Sequence, residues 1–143
     1  EADDQYRSCS IHYPSENSLF YNIGKPIFLS HNNQFFRYDL SNVFEFQLIK
    51  YDEGGNYKWH CDYGSAPKEN VTRKISMSIQ LSDTSSYSGG SLELVDYGNN
   101  TVQLSKKIGS LVVFDARLPH RANPVTRGSR LSLVGWVSGP RLR

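Results

Sequence analysis

In the segment RKISMSIQL, residues 73–81, polar and apolar side chains alternate from Lys74 to Leu81. Successive side chains of a β-strand point to opposite faces, so a period of two predicts an extended strand rather than a helix. The apolar face holds Ile75, Met77, Ile79 and Leu81, and the polar face holds Lys74, Ser76, Ser78 and Gln80. The segment therefore predicts a strand with one face in a hydrophobic core and the other lining a polar space.

The same alternation recurs in short segments bounded by clusters of Gly, Asn, Asp and Ser, in a chain with 13% aromatic residues. Aromatic and β-branched side chains fit a pleated surface, so these segments are read as strands. The predicted strands are 35–40, 43–51, 57–62, 73–81, 91–97, 101–104, 110–116 and 130–137. No long helix is predicted between them. Short, regularly spaced antiparallel strands predict a mainly β fold, either a sandwich, a barrel or a jelly roll.

The size and termini of the chain narrow its class. With 143 residues, 38% of them hydrophobic, a single domain over residues 1–143 can bury a core. No stretch approaches the roughly 20 apolar residues that cross a bilayer, and the start, EADDQYRSCS, lacks a signal-peptide pattern. We therefore expect a soluble, intracellular, cytoplasmic protein without a membrane partner. Because the sequence begins at Glu1 rather than Met, we leave open that N-terminal helical elements were trimmed.

The cysteines and the charges also bear on partners. Cys9 and Cys61 are too few for a disulfide scaffold, and neither belongs to a CxxC pair. Residues 1–96 hold 8 Lys/Arg against 13 Asp/Glu, whereas residues 97–143 hold 8 against 1. A basic region of this kind attracts an anionic ligand, an acidic peptide or nucleic acid. Solvated basic side chains without a partner explain the same count equally well.

His60 and Asp62 stand two residues apart in the predicted strand 57–62. Their side chains therefore project to the same side, while Trp59 and Cys61 point away. An imidazole and a carboxylate placed in this way offer two metal ligands. With four His in the chain, one His-x-Asp pair arises by chance about one time in five, so the motif needs context.

His120, after the predicted strand 110–116, is the best candidate for a third ligand. Two His and one carboxylate form the facial triad of non-haem Fe(II) oxygenases, which leaves coordination positions open. A structural zinc site would instead favour a closed tetrahedral set with Cys or a further His. Arg130 and Ser132 lie on one face of the last strand, where a guanidinium beside a hydroxyl suits a carboxylate. An exposed loop His and a surface Arg are the plain alternatives for these positions.

Three ordered segments resemble one known family. They are YDEGGNYKWHCD, RKISMSIQLSDTSSYSGGSLEL and GSLVVFDARLPHRANPVTRGSRLSLVGWV. These segments resemble the Fe(II)/2-oxoglutarate-dependent dioxygenases, and specifically the prolyl-4-hydroxylase-like branch with its bacterial and viral members. The resemblance covers about residues 44–138. It implies a double-stranded β-helix, also called a cupin-like jelly roll, which agrees with the strand pattern.

The resemblance also implies roles for individual residues. His60, Asp62 and His120 match the iron ligands, which are also the catalytic residues. Arg130 matches the residue that pairs with the distal carboxylate of 2-oxoglutarate, Ser132 matches the Ser of an Arg-x-Ser pattern, and Tyr51 matches a Tyr near the cosubstrate. The implied cofactors are Fe(II), 2-oxoglutarate and O2, and a requirement for ascorbate is left open.

Some positions depart from the family pattern or carry a simpler reading. Gln80 stands where many prolyl hydroxylases carry a Tyr facing the cosubstrate, so we expect its amide to contact 2-oxoglutarate instead. Gly89 and Gly90 match a Gly-Gly turn, and Trp59 and Trp136 are interpreted as core residues. Two turn-rich segments, 62–72 and 82–90, are predicted loops at the mouth of the fold, and the first is a candidate lid.

The implied activity is hydroxylation of a C–H bond with release of succinate and CO2, because Asp62 fills the position that halogenating relatives leave without a carboxylate. A prolyl residue in a peptide or protein is the leading substrate. A free amino acid or another small metabolite is the first alternative. A nucleic-acid oxidative demethylase is disfavoured because Trp136 stands where such enzymes carry a second Arg. A non-catalytic jelly-roll binding module is the last alternative, and the oligomeric state is not predicted.

Overall fold

The computed structural model describes residues 7–141, so the two ends of the predicted domain lie outside the described residues. The strands are β1 (Arg7–Ser8), β2 (Ser10–His12), β3 (Val43–Tyr51), β4 (Asn56–His60), β5 (Val71–Gln80), β6 (Tyr87–Gly89), β7 (Leu92–Val95), β8 (Thr101–Gln103), β9 (Leu111–Asp115), β10 (His120–Ala122), β11 (Val125–Gly128) and β12 (Arg130–Pro140). The helix α1 (Leu19–His31) continues into a π-helical turn (Asn32–Phe36), and a short 3-10 helix covers Thr84–Ser86. Within residues 7–141, no helix is long and apolar enough to cross a membrane.

The strands form two five-stranded sheets and a small ribbon. The first sheet runs β1-β4-β10-β7-β8, the second runs β2-β3-β12-β5-β9, and β6 pairs with β11. All of these pairings are antiparallel. The two large sheets face each other, because a single cavity is lined by residues of both. This arrangement confirms the predicted mainly β jelly roll.

The alternation in β5 positions the two sides of the second sheet as the sequence predicts. Ile75 and Met77 are buried in a core that also contains Phe28 of α1. Ser76 and Ser78, on the opposite face, line the cavity between the sheets. The second sheet therefore carries its helix on one face and the cavity on the other.

Phe46 of β3 packs between two glycines, which lets α1 approach the sheet closely. A Cβ at Gly24 of α1 would lie 2.3 Å from the Phe46 ring, and a Cβ at Gly135 of β12 would lie 2.5 Å from it. Any larger side chain at either position would clash with that ring. Glycine here is explained by close packing rather than by backbone conformation.

Helix α1 was not predicted from the sequence. It contains Gly24 and Pro26, which both disfavour a helix interior. Its buried residues, Tyr21, Gly24 and Phe28, face the core. Tertiary packing of that face outweighs the weak local propensity, as is common for short helices.

The predicted strand at 35–40 is wrong. Residues 35 and 36 belong to the π-helical turn, and Arg37 follows with a left-handed φ of 55°. The Asn32 side chain accepts a hydrogen bond from the Tyr38 N–H at 2.8 Å and donates one to the Tyr38 carbonyl at 2.9 Å. Because these bonds satisfy backbone groups that a neighbouring strand would take, the segment forms a loop.

The other seven predicted strands are confirmed, with end shifts of a few residues. The strand predicted at 57–62 ends at His60, so Asp62 lies just beyond it. Strands β1, β2, β6, β10 and β11 were not predicted, because two to four residues are too few to show alternation. The predicted loop 82–90 is therefore only partly a loop, since it contains the 3-10 helix and β6.

Candidate metal centre

Two neighbouring strands of the first sheet bring the predicted ligands together. Strand β10 pairs with β4, and His120 lies directly opposite His60 in that register. Asp62 follows β4 and is fixed by its backbone, because the N–H groups of Asp62 and Tyr63 both donate to the Ala116 carbonyl, at 3.0 and 2.9 Å. His120 is thus a strand residue and not an exposed loop residue, and it is 7% exposed.

The three side chains form one compact cluster. The His60 Nε2 lies 3.6 Å from the Asp62 Oδ1, and the His120 Nε2 lies 3.3 Å from the Asp62 Oδ2. The two imidazole centroids are 4.1 Å apart. The ligand atoms of all three residues lie within 4.8 Å of one another. One small cation can therefore reach all three donors.

Backbone carbonyls set the orientation of both imidazoles. The His60 Nδ1 lies 2.7 Å from the Lys58 carbonyl oxygen, and the His120 Nδ1 lies 3.0 Å from the Leu118 carbonyl oxygen. A carbonyl only accepts, so each Nδ1 carries the proton and donates. The Nε2 lone pairs are then directed toward the cluster, in the way that metal-binding histidines are held by outer partners.

Asp62 is held by two donors on the second sheet. The Ser76 hydroxyl donates to its Oδ2 at 2.7 Å, and the Trp136 indole N–H donates to the same atom at 2.8 Å. Burial by itself raises the pKa of Asp62, but the adjacent His120 and the donors Trp136 and Ser76 hold that pKa well below its ordinary value. The carboxylate is therefore ionised and fixed in orientation.

Trp136 is buried, as its interpretation as a core residue requires, but that interpretation misses its contact with Asp62. A signal was present in the sequence. Residues 130, 132, 134 and 136 share one face of β12, so the face that carries Arg130 also carries Trp136. Trp59 is only partly buried and lies under the Arg121 guanidinium, 4.6 Å from ring centroid to Cζ.

The donor set fits Fe(II). Burial and then the nearby His120 lower the pKa of His60 to about 4, so this ring is neutral near pH 7 and can bind a metal. Two imidazole donors and one ionised carboxylate match the 2-His-1-carboxylate set of non-haem iron proteins. Within the described part of the chain, His60, Asp62 and His120 are the one group of three His, Cys, Asp or Glu side chains whose ligand atoms lie close enough to bind one metal ion.

Arg130 lies in the same cavity and is 2% exposed. Its Nε donates to the Gln80 Oε1 at 3.0 Å. Among residues 7–141, no carboxylate forms an ion pair with it. Burial lowers the pKa of Arg130 from its usual value, but a guanidinium stays charged at neutral pH. The cavity therefore holds a cation that lacks a counter-ion among the described residues.

Ser132 and Tyr51 lie beside Arg130. The Ser132 hydroxyl is buried and has no hydrogen-bond partner among the described residues. The Tyr51 ring centroid is 5.3 Å from the Arg130 Cζ, and burial raises the pKa of Tyr51 to about 12. Tyr51 is consequently a neutral donor at physiological pH. The Gln80 side chain accepts from Arg130 and does not itself line the cavity.

The cavity has a volume of about 80 Å³. It is lined by residues of both sheets, among them Arg7, Gln47, Tyr51, Tyr57, His60, Asp62, Arg73, Ser76, Ser78, Phe114, His120, Arg130, Ser132 and Trp136. The metal cluster and Arg130 therefore open into one space. The predicted residues His60, Asp62, His120, Arg130, Ser132 and Tyr51 all line it, and Gln80 reaches it through Arg130.

Comparison with known proteins settles the family. The family model described as "2OG-Fe(II) oxygenase superfamily" matches residues 46–138. The chain belongs to this family. Oxygenases of the 2OG-Fe(II) superfamily use Fe(II), 2-oxoglutarate and O2, and the three-donor cluster fits the metal that the family name specifies.

Individual relatives of this 2OG-Fe(II) oxygenase chain agree with that assignment. A PKHD-type hydroxylase from Pseudomonas putida (strain W619) is 40% identical over 92 residues, which cover 61% of this chain and 40% of the relative. This chain thus spans about 40% of the length of the curated relatives it matches.

Solved structures share the fold of this oxygenase chain. A prolyl-4-hydroxylase from Pseudomonas putida aligns with a TM-score of 0.79 at 23% identity, over 96% of this chain and 76% of that one. A prolyl hydroxylase from Trichoplax adhaerens aligns with a TM-score of 0.75 at 18% identity, over 94% of this chain and 64% of that one. The predicted prolyl-4-hydroxylase-like jelly roll is confirmed.

The loop 62–72 is anchored at its base. The Gly64 N–H donates to the Thr72 hydroxyl at 2.8 Å, and the Arg73 N–H donates to the Ser65 carbonyl at 2.9 Å. Residues 67–70, at the tip of the loop, are exposed. An anchored base with an exposed tip is compatible with a lid, which stays a prediction.

Proposed function

We propose that this chain is the catalytic domain, over residues 1–143, of an Fe(II)- and 2-oxoglutarate-dependent hydroxylase that acts on a prolyl residue in a peptide or protein. The observation that carries the proposal is one cavity that holds both the His60–Asp62–His120 cluster and the buried Arg130, which has no carboxylate counter-ion within residues 7–141. A metal cluster alone suits many functions. The added cation specifies a carboxylate ligand next to the metal.

His60, Asp62 and His120 would hold the iron, and Arg130 would bind the distal carboxylate of 2-oxoglutarate. The Ser132 hydroxyl, which is buried without a partner, and the neutral Tyr51 hydroxyl would each donate to that cosubstrate. Gln80 would orient the Arg130 guanidinium, since its amide oxygen accepts from the Arg130 Nε. A charged donor paired with a carboxylate in a buried site forms a strong, directional contact.

Bound Fe(II) would supply oxygen activation and C–H oxidation, coupled to conversion of 2-oxoglutarate to succinate and CO2. The protein's part is to bind, orient and exclude water. Ser76 and Trp136 keep the Asp62 carboxylate ionised and turned toward the metal position. The aromatic rings of Tyr57 and Phe114 lie against His60 and His120, with centroid distances of 3.5 and 4.9 Å, and shield the cluster from water.

A prolyl peptide is the substrate that the surroundings support best. A groove of about 570 Å³ lies next to the cavity, and Gln47 lines both. Its walls include Tyr13, Pro14, Tyr21, Phe44 and Pro67. Grooves lined by aromatic side chains are one kind of surface on which extended, proline-containing peptides bind. The structural relatives named above are a prolyl-4-hydroxylase and a prolyl hydroxylase whose structure contains a peptide fragment, which supports the same substrate class.

The experiment is a measurement of succinate formed from 2-oxoglutarate with Fe(II) and O2, with and without ascorbate. The substrates offered are capped proline-containing peptides, free amino acids and methylated oligonucleotides, each compared with no substrate. We expect stimulation by the peptides, a mass increase of one oxygen on the prolyl residue, and no activity in the matched variant Asp62→Ala. Stimulation by another substrate class alone would refute the prolyl assignment. No succinate under any condition would refute the enzymatic function.

A further inference from the structure

Arg7 reaches the cavity from a strand outside the family match. It lies on β1, which pairs with β4 so that Arg7 is opposite Tyr57. Its guanidinium carbon is 4.8 Å from the Tyr57 ring centroid, and the Tyr57 ring is 3.5 Å from the His60 ring. Arg7 is therefore separated from a candidate metal ligand by a single aromatic ring, and it lines the same cavity.

Within residues 7–141, the Arg7 side chain donates hydrogen bonds to uncharged groups. Its Nη2 donates to the Gln47 Oε1 at 3.2 Å, and its Nε donates to the Cys9 Sγ at 3.0 Å. No ion pair joins Arg7 to a carboxylate within residues 7–141.

Three other arginines behave differently, because each is paired with an acid. Arg73 pairs with Glu45, Arg117 with Asp115 and Arg121 with Glu93, at 2.8, 2.8 and 3.3 Å. Within residues 7–141, Arg7 and Arg130 share both a place in the cavity lining and the lack of a carboxylate counter-ion.

With Fe(II) and 2-oxoglutarate bound, the side chains that line the cavity would still carry one unbalanced positive charge. Among the residues that the structure describes, its lining contains Arg7, Arg73 and Arg130 and a single carboxylate, Asp62. Glu45 neutralises Arg73, and Asp62 balances one further positive charge. The charges of Fe(II) and of the two carboxylates of 2-oxoglutarate cancel. One positive charge is left over, and a cavity of one sign raises the local concentration of the opposite one.

We propose that Arg7 binds a carboxylate of the substrate, so that the preferred substrate carries an acidic group next to the residue that is hydroxylated. This inference rests on the proposed function and adds a charge preference to it. Gln47, which accepts from Arg7, lines both the cavity and the groove. A peptide that passes from the groove to the metal would therefore place an Asp or Glu side chain beside Arg7, where a guanidinium and a carboxylate can pair through two hydrogen bonds.

The test measures binding without turnover. The full chain is loaded with Mn(II) and 2-oxoglutarate, and dissociation constants are measured by calorimetry for capped tripeptides with Asp, Asn or Lys on either side of one proline. A second arm uses free aspartate and asparagine, so that a peptide carboxylate and a small-molecule carboxylate are distinguished. We expect the wild-type protein to bind the Asp peptide about tenfold more tightly than the Asn peptide.

Variants assign that preference to one side chain. Arg7→Gln should bind the Asp and Asn peptides equally, and Arg7→Glu should prefer the Lys peptide. Because Arg7 also connects β1 with Tyr57 and Gln47, Arg7→Lys keeps the charge and should keep most of the preference. Arg121→Gln is the matched control, since Arg121 lies over Trp59 as Arg7 lies over Tyr57 but is paired with Glu93. It should bind like the wild type.

Each result decides for or against Arg7. The absence of a carboxylate preference in both arms, or its persistence in Arg7→Gln, overturns the inference. A preference confined to the free amino acids supports the carboxylate contact and assigns it to a small substrate. An Arg7-dependent preference without succinate from any probe refutes the hydroxylase and leaves the Arg7 contact standing. Peptide-stimulated succinate formation without a charge preference supports the hydroxylase and refutes the Arg7 contact.

Discussion

Two buried carboxylates, Asp62 and Asp115, differ in one respect that separates a structural cluster from a functional one. Both have a pKa well below the ordinary value, although burial by itself would raise it. Asp115 accepts from the hydroxyl groups of Tyr38 and Tyr97 and forms an ion pair with Arg117 at 2.8 Å. Its negative charge is thus matched by a cation of the protein itself.

Asp62 accepts fewer hydrogen bonds, and among the described residues it has no Lys or Arg partner. Its donors are Ser76 and Trp136, and its other neighbours are the Nε2 atoms of His60 and His120. A buried charge without a matching partner is costly to keep. A bound ligand can offset that cost by completing the site. For this reason we assign a functional role to Asp62 and a structural role to Asp115.

The largest expected effect is loss of activity on changing Asp62. Asp62→Asn keeps the shape and the hydrogen bonds from the second sheet but removes the ligand charge. We expect Fe(II)-dependent succinate formation to fall to background, whereas Asp115→Asn should retain activity in the fraction that folds. Turnover by Asp62→Asn at the wild-type rate would remove this residue from the metal site.

The next prediction concerns stability rather than activity, and it applies to Asp115. Asp115→Ala leaves two tyrosine hydroxyls and Arg117 without their acceptor, which should lower the free energy of unfolding by about 2–4 kcal/mol. Urea denaturation of the metal-free protein measures this change. Mn(II) affinity of the folded variant should match the wild type, and a large loss of metal affinity would contradict the separation of the two clusters.

Arg130 and Arg117 extend the comparison to the cations. Arg130→Ala should weaken 2-oxoglutarate binding some ten- to hundredfold, because a charge-assisted pair contributes about 1.5–3 kcal/mol. The matched control Arg117→Ala should leave 2-oxoglutarate binding unchanged, since Arg117 is already neutralised by Asp115. The apparent affinity comes from titrating 2-oxoglutarate at saturating Fe(II). Equal affinities in the wild type and Arg130→Ala would show that the carboxylate is bound elsewhere.

Trp136 should have a smaller effect on the metal. Trp136→Phe keeps a buried ring but removes the indole N–H that donates to Asp62. Partners of this kind typically alter metal affinity by about 10–100-fold, and the Ser76 hydroxyl remains, so we expect the lower end of that range. Calorimetric titration with Mn(II) measures the metal affinity. Unchanged affinity would limit Trp136 to a packing role.

The last prediction concerns the pH dependence of stability. The pKa of His60 is lowered to about 4 in the folded state by burial and by His120, against about 6.5 in an unfolded chain. The unfolded state therefore binds more protons between these values, so this contribution is complete above about pH 6.5 and is lost as the pH falls toward 4. Thermal unfolding of the metal-free protein should show that slope, and His60→Gln should flatten it. An identical slope in His60→Gln would assign the dependence to other groups.

Much of the fold and of the candidate site was predictable from local patterns. The alternation in 73–81 predicts both faces of β5, because a strand repeats every two residues. His60, Asp62 and Arg130 are recognisable because ordered motifs surround them. His120 is recognisable for the same reason, although the strand it occupies is too short to show a period.

The rest depends on contacts between residues distant in the chain. Tyr38 and Asp115 meet across 77 positions, and Trp136 meets Asp62 across 74. No local pattern indicates the Tyr38–Asp115 contact, and the alternation in β12 indicates which face carries Trp136 but not that this side chain meets Asp62. Helix α1 forms because the second sheet covers its buried face, and Asn32 ends the following turn by binding both backbone groups of Tyr38. These are tertiary effects that outweigh local propensity.

The most direct test of the account is anaerobic absorption spectroscopy of the chain with Fe(II) and 2-oxoglutarate. A chelate of both components on the His60–Asp62–His120 cluster predicts a metal-to-ligand charge-transfer band that saturates with 2-oxoglutarate. The band should be absent in Asp62→Asn and should require far more 2-oxoglutarate in Arg130→Ala. No band in the wild type, or an unchanged band in Asp62→Asn, would contradict the assignment of the metal site.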